Sequence, residues 1–165
     1  MTNFKSFHGT VTRISDMYTG QDGEGCNKFI TVEDNSGAIV NFVVTPTTYF
    51  VDHVMVTVGD RVTGYYDGNA PTILIYPPQY PALVMVKDNP NQNVKVDYFD
   101  SQLVSSDGQL QLNISPYTPL LLTNGQLFSN NPANRDLIVI YGPSTKSIPA
   151  QATPYRIIVL CLSSF

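Results

Sequence analysis

The densest cluster of groups able to do chemistry is TGQDGEGC, residues 19–26, where Asp22, Glu24 and Cys26 sit among glycines. Carboxylates on a glycine-rich loop suggest calcium, but Ca²⁺ takes about six to eight oxygen ligands and only two carboxylates are offered. The spacing also departs from the D-x-[DN]-x-[DN]-G calcium loop. The stretch therefore reads as a solvated loop, and neither a metal nor a cofactor is expected. Cys26 is the more accessible of two cysteines, a candidate for a reactive thiol or an intermolecular disulfide. Cys161, inside the apolar run RIIVLCL, is expected to be a buried core thiol.

His8, His53 and Cys26 are ligand and nucleophile types, yet no H-x-x-x-H or C-x-x-C spacing organises them. They read as structural. Asp52, Asp60, Asp67, Asp97 and Asp100 fall at turns, where a carboxylate normally accepts hydrogen bonds from nearby backbone amides. No catalytic residue, and hence no enzyme, is expected. Tyr49, Tyr65, Tyr66, Tyr76 and Tyr80 gather near the prolines of the first half. Such rings stack on sugars or peptides, and they also form dry protein interfaces.

The elements that must position these groups are strands. Glutamate occurs only at Glu24 and Glu33, while Val, Thr, Tyr, Phe, Asn, Gly and Pro recur throughout, so strand and turn formers dominate helix formers. The chain is expected to be all-β. The strand pattern starts at Phe7–Ile14, and Asp34-Asn35-Ser36-Gly37 signals a hairpin between Phe29–Glu33 and Ala38–Thr45. Residues 47–58 continue in strand-like fashion, and APTILIYPPQYPALVMV holds two apolar runs split by prolines that cannot donate to a ladder. Val94–Val104 reads as one long or bent strand, and Asn124-Gly125 marks a second tight hairpin.

NFVVTPTTYF at residues 41–50 and QLNISPYTPL at 111–120 share a polar/apolar alternation followed by a Thr-Pro or Ser-Pro corner. Other landmarks keep the same order: Gly37 with Gly108, Asp60-Arg61-Val62 with Asp136-Leu137-Ile138, Tyr65 with Tyr141, Tyr80 with Tyr155, and Val84 with Val159. An internal repeat is the reading, with residues 1–87 as a first β-unit carrying the long glycine-rich loop 17–27, residues 88–93 as a linker, and 94–165 as a second unit. Each unit is expected to be a small Greek-key, OB-like barrel or sandwich, the two packed together. The stretches FHGTVTRI, TYFVDHVMVTVGDRVTGYYDGNAP and YPPQYPALVMV resemble a group of small, uncharacterised all-β proteins of clostridia and related bacteria; the resemblance brings no activity or site residues with it.

Charged residues make up 13% of the chain, against roughly 25% in an ordinary soluble domain. A surface of Ser, Thr, Asn, Gln and Tyr is less costly to desolvate than an ionic one, which favours association with further copies. The net charge is −4 and the Lys and Arg residues are scattered, so nucleic acid, which requires clustered cations, is not an expected partner. No apolar run approaches the ~20 residues that span a bilayer, and MTNFKSFHGT has no apolar signal core. No membrane partner is expected; the chain reads as cytoplasmic as synthesised, with a cell or spore surface reachable by a non-classical route. The leading expectation is a self-associating structural or interaction protein, a homo-oligomer. The alternative is a β-barrel module that binds a carbohydrate or peptide.

Overall fold

A computed structural model describes residues 2–17 and 25–161. They form strands, turns and one short 3₁₀ turn, so the chain is all-β. The carboxylates Asp22 and Glu24 of the glycine-rich loop lie outside the described residues. Asn3–Asp88 forms one compact unit, and the chain from Asn89 onward forms the other.

In the first unit, β1 (Phe4–Asp16), β2 (Lys28–Glu33) and β3 (Ile39–Val44) form an antiparallel meander. β2 and β3 alternate buried and less buried residues, as a sheet with one face on a core requires. Their turn is built by Asp34, whose carboxylate accepts hydrogen bonds from the Ser36 amide (2.9 Å), the Ser36 hydroxyl (2.7 Å) and the Ala38 amide (2.9 Å). These donors, the Ser36 hydroxyl foremost, hold the Asp34 carboxyl below its usual pKa. Gly37 sits at φ 87°, a region other residues rarely adopt.

β4 (Tyr49–Phe50), β5 (Arg61–Asp67), β6 (Gln79–Pro81) and β7 (Val84–Lys87) complete a seven-stranded sheet in the order β4-β7-β5-β1-β2-β3-β6. The strand-like reading of residues 47–58 shortens to β4, because the 3₁₀ turn Val51–His53 follows with Asp52 and His53 at positive φ. Segment 79–87 serves both flanks of the sheet: β6 runs parallel to β3, and β7 antiparallel to β5. Pro81 has no amide hydrogen, and the next two amides diverge. That of Ala82 donates to Val43 (2.9 Å) and that of Leu83 to Tyr65 (2.8 Å). The ladder is thereby interrupted at the step between β6 and β7, and strand pairing does not close the sheet into a barrel, one of the two forms, barrel or sandwich, expected from sequence.

The core of this unit gathers Val11, Ile30, Val32, Phe42, Val62 and Met85. Phe42 is fully buried, and a Cβ on Gly64 would lie 2.4 Å from its ring. Glycine at 64 thus lets the aromatic ring lie against the β5 backbone.

The second unit has β8 (Asn93–Phe99), β9 (Leu110–Leu112), β10 (Leu120–Leu122), β11 (Arg135–Tyr141), β12 (Ala150–Ala152) and β13 (Arg156–Leu160). Four of these form a sheet in the order β10-β13-β11-β8, and β12 pairs with β9 alone, so neither sheet is a closed barrel. Leu137, Val139, Ile157, Val159, Leu110 and Phe99 fill its core. β8 is shorter than the run 94–104, because Asp100 accepts from the amides of Gln102 (2.9 Å) and Val104 (3.0 Å) and bends the chain, with Leu103 at φ 60°. Asn93, assigned to a linker from sequence, already pairs with Tyr141 in β8–β11. Among the described residues, no helix is long and apolar enough to cross a membrane.

Candidate interaction site

The prolines that flank residues 72–75 decide their fate. Pro71 and the pair Pro77-Pro78 bracket an apolar run too short to establish a strand ladder of its own, and Thr72–Ile75 carries no strand assignment. Ile73 is 68% exposed, Ile75 46%, Tyr76 75%, and Leu74 is fully exposed. From Gly68 to Val86 no residue is charged.

This segment and β6 line an open concavity of ≈ 430 Å³, formed by Thr72, Ile73, Leu74, Ile75, Tyr76, Pro78, Gln79 and Tyr80. Its floor is fixed by pairing: Tyr80 stands opposite Phe42 in the β6–β3 register, and Asn41 accepts Pro78 and Gln79 as neighbours, its amide donating to the Pro78 carbonyl at 2.9 Å. The Tyr80 ring stacks on Tyr66 of β5, with centroids 4.0 Å apart and planes within 4°. Burial of the Tyr66 phenol, with the Tyr80 hydroxyl beside it, raises its pKa above the usual tyrosine value. At neutral pH the Tyr66 ring is therefore uncharged. The lining supplies apolar and aromatic contact with hydroxyls and one amide, which suits binding.

Of the five tyrosines singled out from sequence, Tyr76 and Tyr80 line the concavity and Tyr66 supports it from beneath. Tyr49 and Tyr65 do not line it. Tyr49 lies in β4 and meets the His53 ring edge-on at 5.4 Å, while Tyr65 pairs with Val84 on β7 and, as the neighbour of Tyr66 in a strand, faces the opposite side of the sheet. The exposure of Ile73–Ile75 is what sequence reasoning missed, having read the stretch as one of two apolar runs. The signal was present in the flanking prolines, which deny a three-residue run its ladder partners.

The other candidates resolve as follows. Cys26 is free and exposed. Cys161 is free and exposed too, against the expectation of a core thiol, because β13 ends at Leu160 and the last buried position with it. His8 pairs with Asp88 at 2.9 Å, with Arg61 Nε 3.9 Å from the same carboxylate oxygen. Asp60 accepts from the Thr57 amide (2.8 Å) and Asp67 from the Asn69 amide (2.9 Å), the local backbone role that turn aspartates fill; Asp97, expected at a turn, lies instead within β8, buried, and accepts from the Tyr98 amide (2.8 Å) and the Ser106 hydroxyl (2.6 Å). Among the described residues, no group of three or more His, Cys, Asp or Glu is placed to hold a metal ion. Compared with known proteins, the chain matches no family model, no curated protein and no solved structure.

Proposed function

We propose that the chain is a non-enzymatic interaction protein that self-associates through low-charge β surfaces, and that it is built from two copies of one β-unit. The observation that carries the first part is a set of large apolar side chains in solvent, including Ile73, Leu74, Tyr76, Tyr117 and Ile148, on a chain with only 13% charged residues. Scattered apolar exposure is ordinary, but a contiguous run beside a concavity marks an interaction site.

The repeat is supported by pairing and by the proline corners. β8, β11, β13 and β10 pair in the same order and sense as β1, β5, β7 and β4, and β9–β12 is parallel like β3–β6. At the corners, the Thr45 amide donates to Thr48 Oγ1 and the Ser115 amide to Thr118 Oγ1, each at 3.1 Å. The Thr48 and Thr118 amides return to the carbonyls of Thr45 and Ser115. Taken as a repeat, the register moves four of the sequence correspondences, Val84 falling with Arg156 and Arg61-Val62 with Asp136-Leu137. Leu83 and Tyr155 each donate an amide hydrogen to β5 or β11, at Tyr65 and Ile140, so Tyr155 takes the place of Leu83 rather than Tyr80. By the same spacing Tyr66 corresponds to Tyr141, and Tyr80 to Ala152. In the first unit, the run β1-β2-β3, the parallel return beside β3 and the antiparallel β5–β1 pairing follow the Greek-key order of an OB-like unit, interrupted at Pro81.

Size-exclusion chromatography with light scattering, run over increasing concentration, tests self-association: a mass above 18.2 kDa that grows with concentration is expected, and a strict monomer throughout would sink the proposal. Peptide or carbohydrate binding is the second reading, favoured by Tyr76 and Tyr80 in the concavity. The apolar lining suits a peptide better than a glycan, whose hydroxyls need more polar partners than Thr72 and Gln79 provide.

A further inference from the structure

We infer that two copies of the chain close on each other as an isologous, two-fold dimer through the face formed by Thr72–Tyr76 and β6. This deepens the self-association reading and rests on it. The exposed side chains of Ile73, Leu74, Ile75 and Tyr76 amount to an apolar patch of the order at which monomer patches mark interaction sites, about 300–600 Å². A two-fold contact presents the same patch from both sides, and with its flanking residues it approaches the roughly 800 Å² per partner of a stable interface. The face is also fit to meet itself. It holds both a projecting side chain, Leu74, fully exposed, and an adjoining concavity floored by Tyr80, so knob and hole lie on one surface, as an isologous contact needs. Identical copies each carry net charge −4, and the uncharged stretch from Gly68 to Val86 is where they can approach without opposing like charges.

The second unit explains why assembly stops at two. Ser144-Thr145-Lys146-Ser147-Ile148 precedes Pro149 at the spacing at which Thr72-Ile73-Leu74-Ile75-Tyr76 precedes Pro77. Lys146 stands where Leu74 stands in the first unit. An ammonium placed in a dry contact without a partner is strongly disfavoured, so this counterpart does not offer a second apolar face. Two such faces per chain would propagate an open array, whereas one face closes.

Sedimentation velocity of the full-length chain over a concentration series tests this, beside Leu74→Lys and Lys146→Leu, with thermal melts to verify folding. The wild type is expected to reach twice 18.2 kDa and stop. Leu74→Lys, at a fully exposed position, is expected to melt as the wild type does and to dimerise roughly a hundredfold more weakly or worse. Lys146→Leu is expected to add species larger than the dimer. A Leu74→Lys chain that dimerises normally overturns the assignment of the face and leaves self-association standing. A wild type that runs on to large species, or a Lys146→Leu chain of unchanged mass, overturns the closure. A wild type that is monomeric at every concentration overturns both the dimer and the function proposed above.

Discussion

Single residues show most sharply how packing and exposure divide the labour. Phe42 and Leu74 are both large and apolar, yet one is fully buried and the other fully exposed. Phe42 lies in an alternating strand whose partners on both sides are paired; Leu74 lies between prolines that forbid such pairing. Gly64 belongs with Phe42, since a methyl group there would sit 2.4–2.7 Å from three ring carbons. Gly64→Ala is expected to destabilise the first unit by about 1–3 kcal/mol, the usual range for overpacking, as read from denaturant midpoints. Phe42→Leu alone is expected to destabilise as well, but in the Gly64→Ala background it should cost less, because the shorter side chain leaves room for the methyl. Full additivity of the two changes would show that the glycine is not there for the ring. Little of this was legible from sequence, where Gly64 in GYY gave no sign of its neighbour.

Strands and turns were more legible, and for a local reason: a turn's chemistry resides in a few consecutive residues. The Asp34–Gly37 hairpin and the Thr45 and Ser115 corners appear where the sequence placed them, because Asp, Ser, Thr and Gly carry the acceptors and the φ freedom that such turns require. What could not be read was which distant segments pair. Residues 47–58 have the composition of a strand, but strand pairing is confined to Tyr49–Phe50, beside Val84 and Met85. The split of 79–87 between two partners was equally hidden, so the sequence left barrel and sandwich open for a sheet whose ladder breaks at Pro81. Thr48 and Thr118 offer a test at this scale. Thr48→Ala and Thr118→Ala each remove the acceptor of one backbone amide and are expected to cost about 1 kcal/mol, measured by chemical denaturation. Thr48→Ala should cost the more, since Thr48 Oγ1 also donates to the Ala82 carbonyl at 2.9 Å. If one corner were sensitive and the other indifferent, the two turns would not be doing the same structural work in their units.

For the molecule as a whole, a charge-poor composition suggested association before any surface was known, and the five tyrosines were grouped by their closeness in sequence to the prolines. Tyr66, Tyr76 and Tyr80 converge on the concavity through strand register, which sequence proximity could only approximate, and the aliphatic residues beside them escaped notice because apolar runs are read as interior by default. The proposed function turns on whether that face is covered when the protein is concentrated. Amide hydrogen exchange, compared between dilute and concentrated solutions of the unmodified chain, measures this directly. Exchange across residues 72–80 is expected to slow as concentration rises, while the Asp34–Gly37 hairpin exchanges at the same rate in both. Equal exchange over residues 72–80 at the two concentrations would contradict self-association through this face.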